Sequence, residues 1–233
     1  MYKESSEAQK THQLAAGQRM NTYPRWPIFC IIINAEDYID AFEKLLRLNL
    51  QGKQDREIMR VLVECCLQER VFNKYYCVLA SKLCNHDKNH KFTLQLFLWA
   101  GYYCIWDHYA ELESMDRVRS LHLTKFIAEM VSGFTLSLAV LKKADLHDTI
   151  ILPSRERHFS MFFEAVFEYA DNMVWNIFKR IARSPQCETL RIGIKFFIER
   201  YVAGNQKQFA SKYKIAKKAL KNVEEEEEKD PFL

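Results

Sequence analysis

The sequence contains few of the residues that make turns. Six glycines and five prolines among 233 residues are too few for a sandwich, a barrel or a doubly wound sheet, which need turn residues at every corner. Hydrophobic residues make up 48% of the chain and charged residues 27%, as in a folded protein and unlike a disordered or fibrous one. Helices are therefore the expected structure, and the chain is long enough to bury a substantial core.

Long apolar runs are also missing. The longest uncharged, largely apolar stretch, residues 96–106, has eleven residues, whereas a transmembrane helix needs about 20. We therefore expect no membrane partner. Residues 1–18 are polar throughout, so no secretory signal is expected, and the seven cysteines should be reduced. Because no C-x-x-C pair occurs among them, we expect small core residues and neither disulfides nor a zinc ribbon.

Motifs of common catalytic and nucleotide-binding sites are absent from the sequence. It has no G-x-G-x-x-G, G-x-x-x-x-G-K-[ST], H-E-x-x-H or G-x-S-x-G pattern, which excludes the usual phosphate-binding loops, a zincin site and a nucleophile elbow. The one grouping of metal-binding residue types is Cys77, Cys84, His86 and His90, and its spacing fits no zinc signature. We therefore expect no enzyme activity, no catalytic residue, no metal and no cofactor.

Apolar residues recur every three or four positions along most of the chain, as in amphipathic helices. In the first such pattern Tyr38, Phe42 and Leu45 share a face; we expect Asn34 to cap this helix and Gly52 to end it. Further helices are predicted at residues 54–68, after Asn73, and at 91–115, 121–134, 136–143, 158–169, 174–182 and 189–202. Short connections set neighbouring helices antiparallel, so the expected fold is all-α: a HEAT-like stack of antiparallel helix pairs, or α-solenoid.

Composition divides the chain into four parts. Residues 1–27 are polar and are expected to be a flexible leader, residues 28–152 to form a helical domain, and residues 153–204 to form a helical extension packed on it. Residues 205–233 start with lysines and end in a glutamate run. This order opposes the helix dipole, so we expect the last part to be largely disordered.

The lysine-rich segment is a candidate RNA-binding site. Without residues 222–233 the chain has 33 basic and 24 acidic residues, a net charge of +9, which favours a polyanionic partner. Basic residues that share a side of a helix suit phosphate contact without sequence specificity. A merely solvated face explains the same pattern equally well. The candidates for contacts to RNA phosphates are Lys212, Lys214, Lys217, Lys218 and Lys221.

Several stretches resemble one protein family. Residues 36–48, "EDYIDAFEKLLRL", residues 52–84, "GKQDREIMRVLVECCLQERVFNKYYCVLASKLC", and residues 85–95, "NHDKNHKFTLQ", are similar to the MI (also written MA-3) domain. The likeness is to nucleolar proteins that combine it with a middle domain of the initiation-factor-4G type. It continues through "YCIWDHYAELESM", "LTKFIAEMV", "LSLAVLK" and "LRIGIKFFIERYV", and covers residues 28–204. Residues 96–102 are additional to the family pattern and either lengthen a helix by about two turns or form a loop around Gly101.

The resemblance implies an all-helical protein that binds other proteins and has no active site. Proteins of this nucleolar type are implicated in 18S rRNA processing and small ribosomal subunit biogenesis. The expected location is therefore the nucleus and nucleolus, with pre-ribosomal proteins as partners and rRNA as a candidate ligand. A DEAD-box helicase of the initiation-factor-4A class is a secondary candidate, because the family's helicase contact is attributed mainly to the middle domain, which we expect this chain to lack.

A related pre-mRNA splicing factor also pairs a middle domain with an MI domain, so a fragment of such a factor is the alternative interpretation. In either case a binding surface is needed on the paired helices. Charged residues predicted to be exposed on the first two helices are the candidates for protein contact: Glu36, Asp40, Asp55, Arg56, Glu57 and Arg60.

Overall fold

A computed structural model describes residues 22–52, 54–95, 105–147, 152–203 and 209–221. Regular structure in these ranges is helical, without a strand, which confirms the all-α prediction. The α-helices are α1 (Arg25–Asn34), α2 (Tyr38–Arg47), α3 (Arg56–Gln68), α4 (Tyr75–His86), α5 (Lys88–Gln95), α6 (Ile105–Ala110), α7 (Arg117–Ser132), α8 (Pro153–Phe167), α9 (Asp171–Ala182), α10 (Glu188–Phe197) and α11 (Ala210–Lys221). Short 3₁₀ helices span Leu138–Lys143 and Pro185–Cys187, and a π-helical turn spans Ile198–Ala203.

Helices that are close in sequence pack against one another. Helix α1 packs on α3, α2 on α4, α3 on α5 and α7, α7 on α8, and α9 on α11. This mainly local pairing is typical of stacked helical pairs, whose units contact their neighbours. One cluster of buried apolar residues runs from Ile28 in α1 to Leu220 in α11, so the extension shares a core with the first domain.

Phenylalanine side chains join the later helices. Phe159 and Phe163 of α8 and Phe197 of α10 are fully buried. The rings of Phe159 and Phe197 meet edge to face with centroids 6.2 Å apart, one of the arrangements that aromatic pairs prefer. These contacts hold α8 and α10 together.

Helix α1 was not predicted: residue 28 was the expected start of the structured domain, and the first predicted helix followed Asn34. In the structure α1 begins at Arg25, within the expected leader. Pro27 lies in its first turn, where a missing N–H costs no helical hydrogen bond. Ile28 and Phe29 are fully buried, so this segment is anchored by its apolar side chains.

The expected cap of the second helix is wrong. Asn34 is the last residue of α1, and its side-chain Nδ2 donates to the carbonyl of Cys30. Asp37 caps α2 instead: its Oδ1 accepts from the backbone N–H groups of Ile39 and Asp40, each at 2.8 Å. The expected end at Gly52 is also too late, because α2 ends at Arg47.

The expectation of disorder after residue 204 fails for residues 210–221. These form α11, which packs on α9 and buries Tyr213, Ala216, Ala219 and Leu220. Burying one large apolar side chain stabilises by about 1.5–3 kcal/mol. The charges of α11 are also favourable, because its last turn carries Lys218 and Lys221 and the glutamate run follows the helix.

Some predictions lie outside the described residues. The choice between a longer helix and a loop at residues 96–102 is one, and the acidic run after residue 222 is another. Within the described ranges, none of the helices has both the length and the apolar character needed to cross a bilayer.

Candidate protein- and RNA-binding surfaces

The two acidic candidates at the start of α2 lie together at the surface. Glu36 is exposed, and its backbone N–H donates to Asp40 Oδ2 at 3.0 Å. The same oxygen accepts from Lys44 Nζ at 2.7 Å. The hydrogen bond from Lys44 is the main cause that lowers the pKa of Asp40, so this carboxylate stays ionised. Both residues are available to a protein partner, although Asp40 already has a cation beside it.

Glu57 and Arg60, predicted to be exposed, are instead half-buried. Arg25 Nε of α1 donates to Glu57 Oε2 at 2.7 Å, and Arg60 Nη1 lies 3.4 Å from Glu57 Oε1. This ion-pair network fixes α1 against α3. The two residues therefore contribute mainly to the internal structure of this chain, which corrects their prediction as free surface groups.

Asp55 and Arg56 are also only half-exposed. Asp55 Oδ2 lies 3.6 Å from Nδ1 of the buried His90, too far for a hydrogen bond. Burial raises the pKa of Asp55 and lowers the pKa of His90, because each loses the hydration that favours its charged form. The contact joins the start of α3 to α5. Five of the six predicted residues thus form separate groups: Glu36 with Asp40, Glu57 with Arg60, and Asp55 against α5.

The sequence did not indicate that the polar face of α3 also meets α7. Arg119 donates from Nη1 and Nη2 to Oε1 and Oε2 of Glu64, at 2.8 and 2.7 Å. Gln68 Nε2 adds a hydrogen bond to Oε1 at 2.6 Å. Burial alone would raise the pKa of Glu64. The hydrogen bonds from Arg119 and Gln68 outweigh burial, so the pKa is lowered. A charged residue on an amphipathic helix gives no sequence signal of a partner 55 residues away.

The predicted RNA-binding lysines divide into two sets. Lys212 Nζ donates to the carbonyl of Tyr169 and to Asp171 Oδ1, both at 2.6 Å, and so ties α11 to the start of α9. Lys217 is half-buried, with Nζ 5.6 Å from the centroid of the Tyr213 ring. These two are therefore engaged within the chain. The lysines that are exposed and share one face of α11 are Lys214, Lys218 and Lys221.

A contact between the half-buried Ser120 and the buried His158 was not singled out from the sequence. Ser120 Oγ lies 2.9 Å from His158 Nδ1, and Thr124 Oγ1 lies 3.2 Å from the same atom. This distance resembles that of a nucleophile and its base. Burial, however, lowers the pKa of His158 to about 3, and the ring is only 1% exposed. A base of this pKa has little proton affinity at neutral pH, so we interpret the pair as a satisfied polar contact in the core.

Most of the described cysteines are buried in the core, as predicted, whereas Cys30 is half-buried and Cys104 lies outside the described residues. Cys65, Cys66, Cys77 and Cys84 are buried, and burial raises their thiol pKa values, for Cys66 and Cys84 to about 12. Such thiols remain protonated and unreactive. In the part of the chain that the structure describes, no three His, Cys, Asp or Glu side chains are grouped to hold a metal ion.

Comparison with known proteins identifies a domain and a set of relatives. Residues 25–137 match the family model of the MA3 domain. The chain is 35% identical over 195 residues to mouse "Nucleolar MIF4G domain-containing protein 1", an alignment that covers 83% of this chain and 22% of the mouse protein. The human protein of the same name is 36% identical over 199 residues, 84% of this chain and 22% of its own length. This chain thus spans about a fifth of the length of these relatives.

A more distant match concerns the alternative interpretation. The fruit fly "Pre-mRNA-splicing factor CWC22 homolog" is 24% identical over 145 residues, 62% of this chain and 10% of that protein. The nucleolar relatives are more similar and align over more of the chain. Their names agree with the expected nuclear and nucleolar location.

Proposed function

Because this chain carries an MA3 domain and is homologous to nucleolar MIF4G domain-containing proteins over most of its length, we propose that it is a non-enzymatic protein-interaction scaffold of the nucleolus. In this proposal it acts in 18S rRNA processing and small ribosomal subunit biogenesis. The observation that carries the proposal is the extent of the likeness, which includes the extension beyond residue 137. A likeness of this extent supports a role that uses the joined domain and extension.

Pre-ribosomal proteins are the partners that we propose. Glu36 is the exposed candidate contact residue. Asp40 is half-exposed beside it, as are Asp55, Arg56, Glu57 and Arg60 on or next to α3. The DEAD-box helicase of the initiation-factor-4A class is a secondary candidate, because that contact is attributed mainly to the middle domain.

Sedimentation of a cell extract that contains the tagged chain tests this proposal. We expect the chain to co-sediment with pre-40S particles, and U3 RNA to be recovered when it is pulled down. A chain found solely in the soluble fractions would contradict the proposal. Recovery of spliceosomal RNAs in place of U3 would favour the splicing-factor alternative.

Direct contact with RNA is a second proposed activity, supported by the exposed face of Lys214, Lys218 and Lys221. Each phosphate contact releases counterions, so replacing these lysines by glutamine should weaken RNA binding. For a single-stranded RNA, loss of three contacts should reduce the slope of log K against log salt by about 2.

A matched control removes three exposed positive charges elsewhere, at Arg70, Lys88 and Lys142. Each of these residues would also be replaced by glutamine, so that both variants have the same net charge. Equal loss of affinity in both variants would indicate a general charge effect and would contradict a site on α11.

A further inference from the structure

A groove lies between α7 and α8, where the MA3 match ends and the extension begins. Its cavity has a volume of about 550 Å³, and the residues that shape it include Phe72, Leu121, Ala128, Met161, Ala165 and Tyr169. A second cavity of about 440 Å³, bounded by Pro153, Ser160 and Tyr201, shares Met161 and Glu164 with the first. The two cavities adjoin at Met161 and Glu164 along α8, a helix that lies outside the residues matched to the MA3 domain, and we refer to them together as the groove.

The floor of the groove is apolar. Ala128 is buried and Ala165 half-buried, and these short side chains line the groove together with the longer Leu121 and Met161. Thr124 also lines the floor, but its hydroxyl already donates to the carbonyl of Ser120 at 2.9 Å. The floor can therefore accept methyl and methylene groups of a ligand without leaving this hydroxyl unsatisfied.

The rim on α8 is acidic. Glu156, Glu164 and Glu168 all line the groove, and their spacing places them on one side of α8. The distance along the helix axis from Glu156 to Glu168 is about 18 Å at 1.5 Å per residue. Burial first, and the neighbouring Glu168 second, raise the pKa of Glu164. A cation placed beside these carboxylates would stabilise their charged forms.

The rim opposite α8 carries lysines that already contact other residues of this protein. Lys74 Nζ contacts Glu129 Oε1 at 2.6 Å. Lys125 Nζ lies 5.8 Å from the centroid of the Phe72 ring. On α8 itself Arg157 borders only the second cavity, and Arg155 donates to the carbonyl of Ala144. Around Glu164 and Glu168 the charge of the α8 rim is therefore negative.

We propose that this groove binds an amphipathic basic helix of a partner protein. Its apolar side chains lie on the floor at Ala128, Met161 and Ala165, and its Arg or Lys side chains pair with Glu164 and Glu168. The 18 Å rim matches about three helical turns, and carboxylates four residues apart face basic residues four apart. This is the helix-in-groove mode of recognition. The inference rests on the proposed scaffold function and names the chemistry of one partner.

Fluorescence anisotropy with the full chain tests the inference. The probe is a labelled peptide of about 18 residues with leucine and alanine on one helical face and arginines four apart along its edge. A scrambled peptide of the same composition is the control probe. We expect the patterned peptide to bind at least about tenfold more tightly than the scrambled one. Equal binding of the two peptides would overturn the proposal.

Charge reversal identifies the site. Glu164→Lys with Glu168→Lys should weaken binding of the basic peptide by about tenfold or more and should permit binding of the same peptide with glutamate in place of arginine. Both substitutions lie near the C-terminal end of α8, where positive charge is favourable, so the helix should remain folded. Glu111→Lys with Glu113→Lys, at two exposed residues of the turn before α7, is the control with the same change of net charge and should leave binding unchanged. Equal loss in this control, or failure to bind the acidic peptide, would contradict the site.

A variant with altered floor shape provides an independent test. Ala165→Leu fills the groove without changing charge and should weaken binding of the basic peptide severalfold, with an unchanged circular dichroism spectrum. Unaltered affinity would argue against the floor contact.

If wild-type chain sediments with pre-40S particles but binds neither peptide, the groove assignment alone fails. If the peptide binds as expected but the chain stays in the soluble fractions, the nucleolar proposal alone fails.

Discussion

Arg119 of α7 and Glu64 of α3 form a two-point contact, with both terminal guanidinium nitrogens 2.7–2.8 Å from the two carboxylate oxygens. Their side chains are 24% and 22% exposed, so solvent screens the pair only in part. A bidentate pair fixes direction as well as distance. The pair therefore fixes the orientation of α7 relative to α3.

Replacing Arg119 by methionine should lower the free energy of unfolding by about 1–2 kcal/mol, because Glu64 is left half-buried without its cation. Arg119→Lys should restore only part of this loss, since lysine cannot bind both oxygens. Denaturant unfolding of the two variants, combined with Glu64→Gln in a double-mutant cycle, measures the coupling. A coupling energy near zero would show that the contact contributes nothing to stability.

Lys212 and Lys214, two residues apart on α11, should differ in their effect on stability. Lys212→Met removes the hydrogen bonds to Tyr169 and Asp171 and should lower stability by about 1 kcal/mol. Lys214→Met removes an exposed side chain and should change stability by less than about 0.5 kcal/mol. Thermal unfolding of both variants gives the comparison. Equal stabilities would mean that Lys212 does not anchor α11.

The cap of α2 gives a second comparison. Asp37→Ala removes the acceptor for two backbone N–H groups and should cost about 1 kcal/mol. Asn34→Ala removes one exposed hydrogen bond within α1 and should cost less. The urea unfolding midpoints of the two variants show which residue contributes more to stability. A larger loss for Asn34→Ala would reverse the assignment of the cap.

Acid should destabilise the fold through its buried histidines. Burial lowers the pKa of His158 to about 3, with Arg155 and His108 nearby, and lowers that of His108 to about 4, beside Arg119, Glu64 and Arg60. The unfolded chain has an ordinary histidine pKa near 6.5, so below about pH 6.5 it binds more protons than the folded chain. Stability should then fall by up to about 1.4 kcal/mol per pH unit for each histidine until the folded pKa is reached.

His158→Gln should make stability less dependent on pH between about 6.5 and 4. Substitution of the exposed His147 by glutamine is the control and should leave the slope unchanged. The measurement is the free energy of unfolding at several pH values. The carboxylate of Glu64, whose pKa is lowered, retains its contribution over most of this range and loses it only in stronger acid. A wild-type slope equal to that of His158→Gln would contradict the prediction.

The helical periodicity was sufficient to predict most of the fold. The stripe of Ile58, Val61, Leu62, Cys65 and Cys66 is buried in α3, and the one of Tyr76, Leu79, Ala80 and Leu83 is buried in α4. Periodicity reports which face of a helix is apolar, and that face is determined locally. The end of a helix depends on which single side chain accepts from its free backbone N–H groups. For the N-terminus of α2 the sequence pattern favours Asn34, whereas Asp37 is the cap in the structure.

The candidate site was predicted less well. Glu57 and Arg60 lie on the polar side of α3, but the sequence does not show that Glu57 pairs with Arg25 of another helix. The contact between Glu64 and Arg119 and the groove between α7 and α8 likewise depend on how distant helices cross. For α11, the predicted disorder treated the lysines and the later glutamates as one helix. The helix ends at Lys221, before the glutamates, and buries Tyr213 and Leu220 against α9.

Proximity labelling of the tagged chain in living cells tests the central claim most directly, because it reports compartment and neighbours together. The account predicts labelling in the nucleolus, with proteins of the small-subunit pre-ribosome as the most enriched neighbours. Enrichment of spliceosomal proteins in the nucleoplasm, or of cytosolic proteins alone, would contradict it.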